Sequence, residues 1–234
     1  MPANELNSLD ALTHGAIDIE TRTPYSSNAT FVACVTLDGE TIRAIYKPLR
    51  GERPLWDFAP GLHRREVAAY RLAVAMGFEF VPLTVLRDGP LGEGSLQLLV
   101  DADIEQHYLT LFESRPELHD RFREIAAFDI LANNTDRKSG HVLVDADDHV
   151  WAIDHGLCFA ADFKLRTVIW EFGGEEIPDA ILDAVVRVAD LPLDVASLLD
   201  GEEVAAHAER VRWLLEHRRF PIDPSGRRYP WPLV

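Results

Sequence analysis

The sequence predicts an α+β chain of two lobes, a β-rich first part and an α-rich second part with a cleft between them. Three observations predict it. Residues 16–47 and 79–102 alternate apolar and polar side chains at the period of strands, with one run of helical spacing between them. From Pro116 onward the apolar residues recur every three or four positions instead. The two patterns meet near Asp101 to Asp103, which divides the 234 residues into lobes over 1–102 and 103–234.

Taken in order, "AIDIE", "TFVACVTL" and "TIRAIYKP" read as three strands, the last two joined by Asp38-Gly39, a pair suited to a tight hairpin turn. The polar loop "TRTPYSSNA" separates the first two. After a Pro/Gly-rich connection over 48–61, "HRREVAAYRLAVAMG" repeats apolar residues at Val67, Tyr70 and Val74 and stops at Gly77, a helix over 62–76. "EFVPLTVLRD" and "GSLQLLVDA" follow as strands joined by a turn between Gly89 and Gly94. In the second part, "PELHDRFREIAAFDILAN" sets Leu118, Phe122, Ile125 and Ile130 on a helical stripe, and "IPDAILDAVVRVADL" and "EEVAAHAERVRWLLEHRR" are amphipathic helices. Between them "HVLV" and "HVWAI" flank "DADD" and pair as a hairpin, 142–144 against 150–153. Trp151 and Trp170, with apolar flanks, read as core aromatics. Prolines 221, 224, 230 and 232 make the last residues an irregular surface tail.

Composition narrows the function classes. An apolar content of 47% is ordinary for a globular domain, and a net charge of −16 repels phosphate backbones and anionic lipid surfaces, which disfavours a nucleic-acid module. Cys34 and Cys158 are too few for a disulfide framework or a zinc site, as expected of a cytoplasmic protein. No signal, anchor or integral membrane segment is read in the chain. The basic clusters at 217–219 and 226–228 are explained as well by solvated charge as by steering of an anionic substrate.

The chemistry concentrates over 133–156. Asp136 and His141 precede the first strand of the predicted hairpin and Asp154 follows the second, so the topology gathers two carboxylates and an imidazole at one edge. Each aspartate alone is explained by turn capping. Together they repel unless a cation compensates them, and Mg²⁺, held by one or two carboxylates and completed by substrate phosphates, is the natural resident. That points to a nucleoside triphosphate. Lys47 ends a strand on the face of Ile45, and Glu66 begins the helix that follows; a strand lysine held by a helix glutamate can grip a phosphate.

The order Lys47, Glu66, Asp136, His141, then Asp154-His155-Gly156, resembles a bilobal protein-kinase-like fold. More narrowly, "NNTDR" resembles the "NxxDR" catalytic loop of the phosphatidylinositol 3-/4-kinase-like branch, bacterial members included. The chain is also similar to toxin-type HipA kinases and to small actinobacterial kinase-like proteins. The resemblance covers about residues 16–159. It implies that Lys47 contacts the α/β-phosphates and that Glu66 orients it. It implies further that Asp136 takes the proton of the attacking hydroxyl, with Lys138 or Arg137 neutralising the transferring phosphoryl group, and that Asp154 binds Mg²⁺. His141 stands where the family usually has Asn as second metal ligand, a position that Mn²⁺ would suit. "YSSNATF" replaces a glycine-rich loop, offering Ser26, Ser27, Asn28 and Thr30 to phosphates. Leu98, Leu99 and Val100 would form a hinge receiving the adenine edge, with Ile45 and Ile153 on its faces.

Two functions follow. The first is an ATP- and Mg²⁺-dependent phosphotransferase passing the γ-phosphate to a hydroxyl acceptor, which is a small molecule, a lipid headgroup or a protein. The second is a catalytically inactive nucleotide-binding regulator, a pseudokinase, suggested by His141 and the missing glycine loop.

Overall fold

A helix precedes the predicted strands. α1 (Ala3–His14) has Leu6, Leu9 and Leu12 at three-residue intervals, and its end leads into β1 (Ala16–Arg22), β2 (Phe31–Leu37) and β3 (Glu40–Pro48). The structure, a computed structural model, describes residues 3–24 and 28–234. Asp38 and Gly39 adopt φ angles of 52° and 86°, the positive pair that a two-residue turn between twisted strands requires. Leu12, Ala33, Val35, Ala44, Tyr46 and Leu96 form one core on the face of the sheet covered by α1. Arg87 Nη1 donates to Leu12 O at 2.8 Å and Gly15 O at 3.0 Å, satisfying carbonyls at the helix end.

α2 (Leu62–Met76) begins after Gly61 (φ 111°) and ends at Gly77 (φ 78°), conformations that favour glycine. The predicted stripe of this helix needs correcting. Val67 is fully buried, but Val74 is 56% exposed, and the interior face runs through Ala69, Leu72, Ala73 and Met76. Small alanines let α2 approach its neighbours closely, whereas a stripe read from larger side chains overlooks them. β4 (Thr84–Gly89) and β5 (Gly92–Leu98) complete an antiparallel sheet of order β1-β2-β3-β5-β4.

The second part opens with two elements that the periodicity does not announce, β6 (Ala102–His107) and α3 (Tyr108–Ser114). β6 is short and mostly exposed, so it carries no apolar alternation. Next comes α4 (His119–Ala132), with Phe122, Ile125 and Ile130 buried as its spacing predicts, ending at Asn133 in the left-handed region (φ 48°). β7 (Val142–Asp145) and β8 (Val150–Ala152) pair as Val142↔Ala152, Leu143↔Trp151 and Val144↔Val150, and β6 joins β7 to make a three-stranded sheet. α5 (Asp179–Arg187), α6 (Leu193–Ala196) and α7 (Gly201–His217) follow; Asp200 caps α7 by accepting from Glu203 N at 2.8 Å. Trp151 and Trp170 are half-buried rather than core, because each indole N–H needs a polar partner: Asp145 Oδ2 at 2.7 Å and Arg228 O at 3.2 Å.

One large core unites α2 with α4, the β7–β8 hairpin, α5 and α7. Polar ties reinforce it. The Arg65 guanidinium pairs with Glu203 at the start of α7, and Arg187 Nη2 donates to Met76 O. Arg71 Nη1 donates to Asp194 O at 2.7 Å. The helix bearing Glu66 is therefore fixed to the helical part of the molecule. No helix among the described residues is long and apolar enough to cross a membrane.

Candidate active site

Strand alternation decides which way Lys47 points. Ala44 and Tyr46 fill the core under α1, so Ile45 and Lys47 lie on the opposite face of β3, towards α2 and the hairpin. Lys47 Nζ pairs there with Glu66 Oε1 and donates to Asp154 Oδ1 at 2.8 Å. Glu66 Oε2 accepts the His155 N–H at 2.9 Å, so one buried carboxylate ties β3 to the turn after β8. Burial alone would depress Lys47, but the carboxylates of Asp154 and Glu66 outweigh it and hold the ammonium above the ordinary lysine range. The Lys47 charge in turn holds Asp154 far below the usual carboxylate range. Burial pushes Glu66 up, with Lys47 and the His155 N–H opposing.

Asp154 adopts φ 60°, a left-handed conformation costing on the order of 1–3 kcal/mol for a residue with a Cβ. It keeps 52% of its side chain exposed while fully charged. Asp136 reaches the same cleft from the loop after α4. The Asn134 Oδ1 accepts the Asp136 N–H at 3.0 Å and shapes the turn, and Lys138 Nζ lies 3.3 Å from Asp136 Oδ2. Burial raises Asp136, with Lys138 opposing, and a raised carboxylate is a better base than an exposed one.

Arg137 takes a different place from the one expected. It is completely buried and cannot face a phosphoryl group. Its Nε and Nη2 grip Asp129 at 2.9 Å each, Nη1 donates to Ile153 O at 2.9 Å, and Nη2 donates to His155 Nε2 at 2.8 Å. A planar fork of five donors suits that bidentate, buried role. Arg137 thus locks the loop after α4 to that helix and to the turn holding Asp154, which leaves Lys138 as the cation beside Asp136.

His141 lies at the expected edge, with Nε2 3.6 Å from Asp154 Oδ2. Burial lowers it to about 4, so the ring is neutral near pH 7. Nδ1 accepts from the Lys138 N–H at 3.4 Å, which leaves the ring proton on Nε2, facing Asp154. In that tautomer the imidazole supports the carboxylate rather than ligating a metal. Among the described residues no three His, Cys, Asp or Glu side chains converge to hold a metal ion. A half-exposed, ionised Asp154 fits Mg²⁺ completed by phosphate oxygens and water; His141 does not fit as its second ligand.

The remaining expected contacts divide. Asn28, Thr30, Lys47, Glu66, Asp136 and Asp154 share the wall of the interlobe cleft. The Asn28 Oδ1 is engaged, accepting from Arg53 N at 2.9 Å. Ser26 and Ser27 lie outside the described residues. In the expected hinge, Leu98 N–H bonds Leu83 O at 2.8 Å and Leu99 N–H bonds Arg43 O at 3.0 Å, which engages two of its backbone groups within the protein. Ile45 and Ile153, both half-buried, do not form part of that cleft wall.

Several residues of the site escape a reading by motif. Asn133 Nδ2 donates to Ala160 O at 2.8 Å and Asp162 O at 2.7 Å, and its Oδ1 accepts from Lys164 N at 2.9 Å. Asp129 balances Arg137. A carboxylate and two amides with no exposure, in "FDILANN", are the available signal, since such groups are buried only when paired. The connection between β3 and α2 also crosses the cleft: Lys164 Nζ lies 3.8 Å from Asp57 Oδ2 and over the Phe58 ring at 5.4 Å.

With this geometry described, the class of fold is plain. The architecture is kinase-like: it is similar to the crystal structure of a Helicobacter pylori proinflammatory kinase CtkA, with a TM-score of 0.55 and 11% identity, over 88% of this chain and 94% of that one. No family model matches the sequence. The chain is 37% identical to protein Rv2133c of Mycobacterium tuberculosis over 259 aligned positions, covering 94% of this chain and 93% of that protein, and it belongs to the same family.

Proposed function

We propose that the protein is an ATP- and Mg²⁺-dependent phosphotransferase of the phosphatidylinositol 3-/4-kinase-like type, passing a γ-phosphate to a hydroxyl acceptor. One observation carries the proposal: Lys47, Glu66 and Asp154 meet in one ion-pair network on the cleft that Asp136 also lines. The kinase-like fold and the "NNTDR" loop support it. Two unpaired cysteines accord with a reducing cytoplasm.

In this reading Lys47, positioned by Glu66, holds phosphate oxygens, and Asp154 carries the metal. Mg²⁺ would supply charge neutralisation on the phosphates. Asp136 accepts the proton of the acceptor hydroxyl as its oxygen bonds to the γ-phosphorus. The bond from that phosphorus to the bridging oxygen breaks, and ADP leaves. Lys138 offsets negative charge beside Asp136.

The test is transfer from γ-labelled ATP to polyol, lipid and protein fractions, with nucleotide binding followed separately by thermal shift. Asp136→Asn is expected to lower transfer by on the order of a hundredfold with little change in binding. Nucleotide-dependent stabilisation without transfer under Mg²⁺ or Mn²⁺ would favour the regulator, the reading to which the protonated Nε2 of His141 lends support.

A further inference from the structure

A cavity bounded by α7 and the tail shares no lining residue with the Lys47–Asp154 cleft. It has a volume of about 520 Å³, within the range of roughly 300–1,000 Å³ typical of small-molecule sites. α7 forms one wall with Arg210 and Trp213, the stretch after the active-site turn adds Phe163 and Trp170, and the tail closes it with Ile222 and Arg228. Trp213 and Phe163 are 38% and 48% exposed, which leaves aromatic surface accessible beside the cavity.

Charge distinguishes this cavity from an ordinary apolar groove. Arg210 is only 7% exposed, and no carboxylate among the described residues lies within ion-pair distance of it. Its Nε donates to Leu131 O at 2.7 Å and its Nη1 to Ala160 O at 3.5 Å, but Nη2 is buried without a partner. An arginine is rarely buried unless paired, and each unmet donor costs about 1–3 kcal/mol. Burial pulls its pKa down to about 10, which the field of Glu203, beyond ion-pair distance, only partly offsets. Arg228 is the second cation; its guanidinium lies over the Phe163 ring at 5.3 Å and likewise has no carboxylate partner among the described residues. On the same wall Glu209 is neutralised by Arg212, leaving Glu216 as the acid that remains. Two uncompensated guanidiniums face one uncompensated carboxylate, in a chain whose net charge is −16. One negative charge on the occupant balances the site.

We infer that this cavity binds a small monoanionic amphiphile, an aromatic or aliphatic body bearing one carboxylate or sulfonate-like group, with the anion at Arg210 and Arg228 and the body against Trp213 and Phe163. A nucleoside triphosphate carries too much charge for it. Its position gives the occupant leverage: Ala160 O, which Arg210 approaches, also accepts from Asn133 Nδ2 in the catalytic loop. A ligand that draws the guanidinium acts on the segments carrying Asp136 and Asp154.

Anilinonaphthalene sulfonate, titrated by fluorescence into the full-length chain, is a suitable probe, with uncharged phenylnaphthylamine as its control. Saturable binding at one site, undiminished by excess ATP, is expected. Arg228→Gln, a change at an exposed position, should weaken the sulfonate roughly tenfold and leave phenylnaphthylamine unaffected. Arg210→Met should weaken it further, with near-ultraviolet circular dichroism reporting that the fold is retained. Displacement of the probe by ATP, or equal affinity in wild type and Arg228→Gln, would overturn the inference.

Discussion

Lys47 Nζ donates to Asp154 Oδ1 at 2.8 Å, joining residues 107 positions apart across the cleft. The same ammonium is bound by Glu66, whose side chain is almost wholly buried. Replacing Lys47 therefore strands a buried carboxylate and, in the proposed reaction, also removes a phosphate ligand. Breaking a buried pair on one side costs about 3–5 kcal/mol, and partial exposure of Lys47 brings the expected loss for Lys47→Met to about 2 kcal/mol. Lys47→Met with Glu66→Gln should recover part of that stability in urea denaturation while transfer stays abolished. Equal stabilities of the single and double variants would contradict the coupling.

The Arg65–Glu203 pair predicts a second outcome. Both side chains are 8% exposed, and the pair fixes α2 to α7. Glu203→Gln should cost about 3 kcal/mol in denaturant unfolding and lower transfer, because α2 positions Glu66. If transfer is unchanged at temperatures where the variant is fully folded, α2 does not depend on this tie.

Arg137 and Lys138 are adjacent, yet their substitutions should separate cleanly. Arg137→Met leaves Asp129 buried without its partner and is expected to lose at least about 3 kcal/mol of stability. Lys138→Ala, at the cleft rim, should change stability by less than about 0.5 kcal/mol and lower kcat more than it raises KM. Denaturation curves and steady-state kinetics on the two variants check this.

These adjacent residues also show what a sequence discloses. Topology brings Asp136, His141 and Asp154 together because a hairpin returns the chain to its starting edge, a consequence of apolar runs on either side of "DADD". Lys47 and Glu66 are legible for a similar reason: strand alternation fixes the lysine's face, and Gly61 opens the helix. Burial is not legible. Arg137 and Lys138 are both cations in one loop, and only packing against Asp129 decides which is inside. β6 and α1 escape for lack of contrast, since one is exposed and the other mixes leucines with polar residues at every turn. The N–H groups of Leu98 and Leu99 are engaged within the protein because pairing of β5 extends through Leu98, a register that a composition-based reading cannot locate.

His207 gives the protein an acid-sensitive core. The ring is fully buried on α7; its Nε2 donates to Val188 O at 3.1 Å, and Nδ1 has no partner. Burial lowers its pKa to about 4, with the bond to Val188 opposing and Arg210 adding to the depression. The unfolded chain takes up this proton near pH 6.5, while the folded chain resists until about pH 4. The contribution to stability is therefore complete above pH 6.5, declines as the pH falls, and is exhausted near pH 4. Integrated over that window it amounts to roughly 3 kcal/mol. Other groups titrate in the same range, so the informative quantity is the difference between wild type and His207→Gln. Urea unfolding at intervals from pH 7 to about pH 4 should show the variant losing less stability per pH unit, by up to about 1.4 kcal/mol. Parallel curves would mean that the imidazole takes up its proton as readily in the folded core as in the unfolded chain, and the burial argument would fail with them.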